Sequence, residues 1–251
     1  MRTRISVAVG AASLLAASVA NATLVSTDGG LGVYDTVNNV TWTSDANLFA
    51  TQFAASGGAV VSAIISDWSG HTFADGYTLS SSDFPSNGFM TWWGAQAWVN
   101  HLNATKHGNS THWALPTTVD SESSAGEPDG ALGNPAHSSS QLATLFYGGL
   151  GQVAGYDIAT THNAAYGLFS HVQSDPSSAH PYWSGTKYSA DPQNAWGFLA
   201  AAGAQFPNLF KRGFDPALAV SPGQVSAVPL PGAAWLLGSG LLRLVGLSRR
   251  R

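Results

Sequence analysis

Thr91-Trp92-Trp93-Gly94-Ala95-Gln96-Ala97-Trp98-Val99-Asn100-His101-Leu102 is the stretch on which the reading of the fold turns. Thr91 suits a helix N-cap, because its hydroxyl can accept a hydrogen bond from a first-turn N–H. Trp92, Ala95, Val99 and Leu102 follow at spacings of three, four and three, which puts them on one helical face. The spacing therefore predicts an amphipathic helix from Thr91 with its apolar face in a core. Just beyond it, His112-Trp113-Ala114-Leu115 reads as a short strand ended by Pro116, which brings no N–H to a ladder.

Working outward, Leu31 to Asp35 and Val40 to Trp42 flank a polar connection with Asn, the signature of a β-hairpin. Asp45 is expected to cap a helical segment bearing Leu48, Phe49 and Phe53, interrupted at Ser56-Gly57-Gly58. Ala59 to Ile65 is a second short helix or a buried strand, and residues 66–88 read as a loop rich in Ser, Gly and Asp. Ser139 or Ser140 can cap a helix with Leu142, Leu145, Phe146 and Leu150 on its buried face. Strands are expected near Tyr182 to Thr186, Ala195 to Leu199 and Ala217 to Val220, with residues 221–229 as a linker. Early strands, middle helices and late strands make an α+β chain rather than an alternating α/β one.

The chain has 251 residues, enough for one sizeable core. Only 10% are charged, while nine are Trp, a composition that folds. Six of the ten basic residues lie at the two ends (Arg2, Arg4, Arg243, Arg249, Arg250, Arg251). The body keeps Lys106, Lys187, Lys211 and Arg212 against all fourteen acidic residues, a net charge of −10 with His neutral. An acidic body disfavours a phosphate backbone, so nucleic acid is not an expected partner, while cations, neutral sugars and protein partners are permitted. With no Cys, disulfides, Cys-based zinc sites and thiol nucleophiles are excluded.

Trp92 to Asn100, Leu102-Asn103 and Trp113-Ala114-Leu115-Pro116-Thr117 resemble a bacterial family with a Trp-Arg-Leu-Pro-Thr core motif, the Lcl C-terminal-like domain of unknown function. Leu145-Phe146-Tyr147, Leu150-Gly151, Tyr182 to Thr186, Ala195 to Phe198, Gly203-Ala204-Gln205 and Ala217 to Val220 continue the resemblance in order. It covers most of residues 31–223 and implies a C-type-lectin-like α+β fold, with two main helices beside a small mixed or antiparallel sheet. Ala114 stands where the family motif has Arg, so any contact that Arg makes is absent. The motif Trp residues are expected as core anchors; Trp68, Trp92 and Trp93 are less constrained and are candidates for a sugar-stacking surface.

The two ends read as addresses. Arg2 and Arg4, the apolar run Ile5 to Val19 and Ala20-Asn21-Ala22 form a signal peptide with cleavage after Ala22, a plain N-terminal anchor being the alternative. Val228-Pro229-Leu230-Pro231 precedes an apolar run to Leu247 and the terminal Arg249, Arg250 and Arg251. Leu230 to Leu247 would span roughly 27 Å as a helix at about 1.5 Å per residue, close to the hydrocarbon thickness of a bilayer. The arrangement resembles a PEP-CTERM sorting signal, with no Glu in the Pro motif and with Arg243 late in the run. That resemblance implies processing by an exosortase-type membrane enzyme in bacteria that make an exopolysaccharide; a permanent membrane anchor is the alternative. The expected organisation is residues 1–22 as signal peptide, 23–223 as globular domain, and 224–251 as linker and sorting tail.

Chemistry has few footholds. Asp120, Glu122, Glu127 and Asp129 form an oxygen-rich loop after the Leu-Pro-Thr motif, the expected place for a calcium ion if the chain holds one. Glu127-Pro128-Asp129 echoes the Glu-Pro-Asn triplet of calcium-dependent lectins, but Trp196 is followed by Gly197-Phe198 rather than Asn-Asp. His101, His107 and His112 do not share a helix face, and His162, His171 and His180 carry no metal motif. No G-x-S-x-G elbow, dinucleotide loop or P-loop is present. No catalytic residue and no cofactor is expected. The sequence thus points to an exported surface or matrix protein with a structural or interaction role in an exopolysaccharide. The alternatives are a lectin-like calcium- or glycan-binding module and a secreted hydrolase using a pair from the acidic loop.

Overall fold

A computed structural model of the protein describes residues 23–126, 140–175 and 180–225. The expected signal peptide with Ala20 and Ala22, the acidic pair Glu127 and Asp129, and the expected sorting tail from Val228 to Arg251 lie outside the described residues. The architecture is α+β with two antiparallel sheets. Strands β1 (Leu24–Thr27), β2 (Gly32–Asp35) and β3 (Val40–Thr43) form a meander, and β7 (Val220–Pro222) adds to β3. Strands β4 (Tyr182–Lys187), β5 (Asn194–Leu199) and β6 (Ala204–Phe210) form the second sheet. Between the sheets in sequence come α1 (Leu48–Ser56), α2 (Ala59–Asp67), α3 (Trp92–Ala104) and α4 (Gln141–Ala143), which opens into a π-helical turn over Thr144–Gly149. The expectation of two main helices is too few: the segment before residue 68 forms two helices that pack on each other, the second of them also on α3.

α3 begins where Thr91 predicts. The Thr91 hydroxyl accepts the Gly94 N–H at 3.1 Å, and Trp92, Ala95, Val99 and Leu102 are all buried. Asp45, however, does not cap α1. Asn47 holds the cap position, and Asp45 accepts instead from the Asn47 N–H and the Thr51 hydroxyl. Gly57 ends α1 in the left-handed region that glycine enters at low cost. Among the described residues no single helix is long and apolar enough to cross a membrane; α1 and α2 pass only as a pair bent by 116°.

The second sheet and the extended segment Ala217–Val220 contribute to two apolar clusters, with alternate side chains going to each. Trp183, Ala195, Ala217 and Ala219 face the cluster built on α1, α2 and α3. Their neighbours Tyr182, Phe198, Leu218 and Val220 face the other, which contains Trp42, Leu142, Leu145 and Phe146. Phe146 stacks on Phe198 with centroids 5.0 Å apart, and the Tyr147 hydroxyl donates to the Gly203 carbonyl. The wide π-helical turn lets both rings reach β5 and the turn before β6.

Two strand expectations are corrected, and a further strand was not foreseen. Residues 112–115 form no strand, only a bridge from Ala114 to Val220. Asn103 brackets Trp113 through both main-chain groups, and Ser184 and Gly185 donate to the Pro116 carbonyl, so side chains and a neighbouring strand replace the ladder. The strand expected near Ala217 to Val220 is shifted: Ala217, Leu218 and Ala219 are all buried but lie outside the ladder, which covers Val220–Pro222. β6 escapes the sequence pattern because Pro207 and Asn208 interrupt it; Pro is tolerated there because β6 is an edge strand. The expected linker also starts too early. Ser221 is buried in the first sheet, and Val225 is tied to Thr27 and Thr41 by hydrogen bonds. The folded body thus reaches Val225, beyond the expected boundary at 223.

Candidate functional site

A groove of about 680 Å³ is lined by Asp75, Tyr77, Trp93, Gln193, Phe210 and Arg212, among others. Four separated segments build it, and each is held by hydrogen bonds. Asp75 accepts the Tyr77 N–H at 3.3 Å and the Trp93 indole N–H at 3.1 and 3.2 Å. This side-chain turn, with Gly76 in the left-handed region, folds the loop back on α3. Tyr77 then stacks on Trp93 with centroids 3.9 Å apart and planes 10° apart. Its hydroxyl donates to Asp83 at 2.8 Å, and Asp83 also accepts from the Thr91 hydroxyl and the Ser80 N–H. The same Thr91 that starts α3 therefore also fixes the groove's central ring.

The opposite wall comes from the end of β6. Trp92 N–H, an otherwise orphan donor at the helix start, bonds the Lys211 carbonyl, and the Lys211 N–H bonds the Gln193 carbonyl. Lys211 itself is 1% exposed; its ammonium donates to the Pro192 carbonyl and lies 4.9 Å from the Trp92 ring centre. Burial, then the nearby Lys187 charge, hold its pKa below the usual lysine value. Lys187 sits 5.6 Å from the same Trp92 ring. Arg212 is exposed, with its guanidinium carbon 5.2 Å from the Tyr77 centre and 5.7 Å from the Trp93 centre. Those two near-equal distances place it beside the stacked pair rather than on its outer face. Phe210, 49% exposed, offers the groove an uncovered aromatic surface.

The electrostatics are uneven. Burial raises the Asp75 carboxyl pKa, but the bonds from Trp93 and Tyr77 and the charges of Lys187 and Lys211 outweigh it, so Asp75 stays ionised below the usual range. Tyr77 is pushed up to about 12, by burial first and then by its bond to Asp83. A second hollow of about 420 Å³ shares Gly76, Tyr77 and Thr78 and carries Trp68, which stacks on Phe73 at 4.5 Å. The result is an aromatic-walled depression with polar groups at fixed places, the usual make-up of a small-ligand site.

The sequence-predicted residues fare differently. Trp92 and Trp93 are 4% and 7% exposed, so they support the groove rather than offering open stacking faces; Tyr77 is half-buried and Phe210 is exposed. Of the acidic loop, Asp120 and Glu122 are described. Asp120 accepts from the buried Trp196 indole at 2.9 Å and the Ser189 N–H at 3.0 Å, and these bonds hold its pKa low. Its two oxygens thus pin the loop to β5. Among the described residues there is no group of three or more His, Asp or Glu suited to a metal ion. The histidines do not converge either: His101 pairs with Asp67, His171 with Asp45 and His180 with Asp215. Burial raises the Asp215 pKa, with His180 pulling the other way.

Sequence reasoning missed the groove because no motif spans it. One signal was available: Lys211-Arg212, following Phe210, makes up half of the basic residues in the body. Comparison with protein families, with curated proteins and with solved structures gave no match to this chain.

Proposed function

We propose that this chain is an exported surface or matrix protein whose body binds glycan in an exopolysaccharide rather than transforming it. The reading of export and sorting rests on the resemblance of the two ends to a signal peptide and a PEP-CTERM tail. The resemblance of the body to the Lcl C-terminal-like domain adds a C-type-lectin-like arrangement, which an α+β body with antiparallel sheets beside helices supports. The observation that carries the binding role is the groove itself. Its central ring is fixed at both ends, by Trp93 stacking and by the Asp83 hydrogen bond, before any ligand arrives. A pyranose presents an apolar C–H face that packs on aromatic rings, and hydroxyls that pair with Gln, Asp and Arg side chains. Preorganised aromatic walls with convergent polar groups serve recognition.

Affinity electrophoresis tests this reading. The protein should be retarded in gels containing exopolysaccharide from the producing cells, and the double variant Tyr77→Ala, Phe210→Ala should run freely. Equal mobility with and without the polysaccharide would defeat the proposal.

A further inference from the structure

The body carries fourteen acidic residues and four basic ones, yet three of those four, Lys187, Lys211 and Arg212, gather around one cluster formed by Trp92, Trp93 and Tyr77. The carboxylates near them already have partners. Asp75 accepts from Trp93 and Tyr77, Asp83 from Tyr77, Thr91 and Ser80, and Asp191 from the Gln193 N–H and the Asn194 amide. The exposed cations do not: among the described residues neither the Arg212 nor the Lys187 side chain makes a hydrogen bond or an ion pair. The five N–H donors of Arg212 stand beside two rings at the groove, in a protein with an excess of acid elsewhere. A planar guanidinium fork matches a carboxylate through two parallel bonds, and the two rings beside it limit the orientations it must lose on binding.

We propose that the groove binds a carboxylate-bearing sugar, a uronic-acid residue of an acidic polysaccharide, with the carboxylate on Arg212 and the sugar face on Phe210 and Tyr77. The inference rests on the glycan-binding reading above and adds the charge of the ligand. Lys187 adds attraction at longer range, so the affinity falls as salt rises. Lys211, buried and bonded to Pro192, holds the wall in place and does not touch the ligand.

The test is isothermal titration of the full chain with oligomers of galacturonate, glucuronate and mannuronate, each beside its methyl ester, which keeps the sugar and removes the charge. At least one acid oligomer should bind, its ester about tenfold or more weaker, as loss of a charge-assisted pair implies. Arg212→Gln should lose a similar factor for the acid and little for the ester, and Arg212→Lys should fall between. Arg212 is exposed, so an unchanged thermal midpoint shows each variant folded. Equal binding of acid and ester, unmoved by Arg212→Gln, would overturn the uronate assignment and leave glycan binding standing. No binding to any oligomer, together with free mobility in the affinity gel, would overturn both.

Discussion

Tyr77 and Trp93 stack face to face, 3.9 Å between ring centres, although sixteen residues and a loop separate them. The pair exists because Asp75 ties the loop to the Trp93 indole and because Asp83 accepts the Tyr77 hydroxyl. One short acidic turn and one buried carboxylate thus shape the surface on which the proposed function depends.

The same arrangement sets the alkaline behaviour of Tyr77. Its pKa is pushed from 10.0 to about 12 in the folded protein. A group raised on folding contributes stability that is complete below its unfolded value and is lost as pH climbs through the folded one. Stability should therefore fall from about pH 10 to about pH 12, and Tyr77→Phe should flatten that fall. Lys211, whose pKa is lowered, acts with the opposite sign, so the difference between the two proteins isolates Tyr77. Denaturant unfolding across that range checks it, and parallel pH profiles would show that folding does not raise the Tyr77 pKa.

Gly88 has φ +81°, and a Cβ added there would press on Cβ of Ala50 and lie 2.8 Å from its Cα in α1. Gly88→Ala carries both left-handed strain and overpacking, together about 2–4 kcal/mol. Gly70, also left-handed but with open space around it, should cost only the strain. Urea titration of both alanine variants measures the gap; equal losses would mean α1 yields freely.

Trp113 lies in the α-helical cluster and donates its indole N–H to the His107 carbonyl. Trp113→Ala should cost about 3–5 kcal/mol, as deletion of a buried aromatic does. A loss under about 1 kcal/mol in the same titration would place Trp113 outside the core.

Export and sorting make a mass prediction. Intact-mass analysis of the protein from its native host, split into membrane, surface and medium, should find a species lacking residues 1–22 and the apolar tail. A full tail retained in the membrane fraction would make this a permanently anchored protein and end the sorting proposal.

The helix α3 was legible because one cap and one four-residue face encode it locally. The hairpin β2–β3 was legible for a similar reason, two apolar runs around a polar turn. β6 was hidden by Pro207, and α1's cap was misread because Asp45 bonds one residue short of the helix start. The groove was the least legible part. Residues 75–78, 92–93, 192–193 and 210–212 meet only through tertiary contacts, and none of them forms a pattern along the chain. Composition gave the one hint, the scarcity of cations, but not the place where they gather.

The central claim is that glycan occupies the groove of Tyr77, Trp93 and Arg212. Indole proton–nitrogen spectra separate the nine Trp signals, and Trp→Phe variants assign them. As the binding oligosaccharide is titrated to saturation, the Trp93 indole should move most, because its N–H forms part of the groove wall through Asp75. The buried Trp42 and Trp98 signals should stay in place. A still Trp93 at saturation, or a largest shift at Trp196 beside Asp120, would contradict the account and move the binding site to the acidic loop.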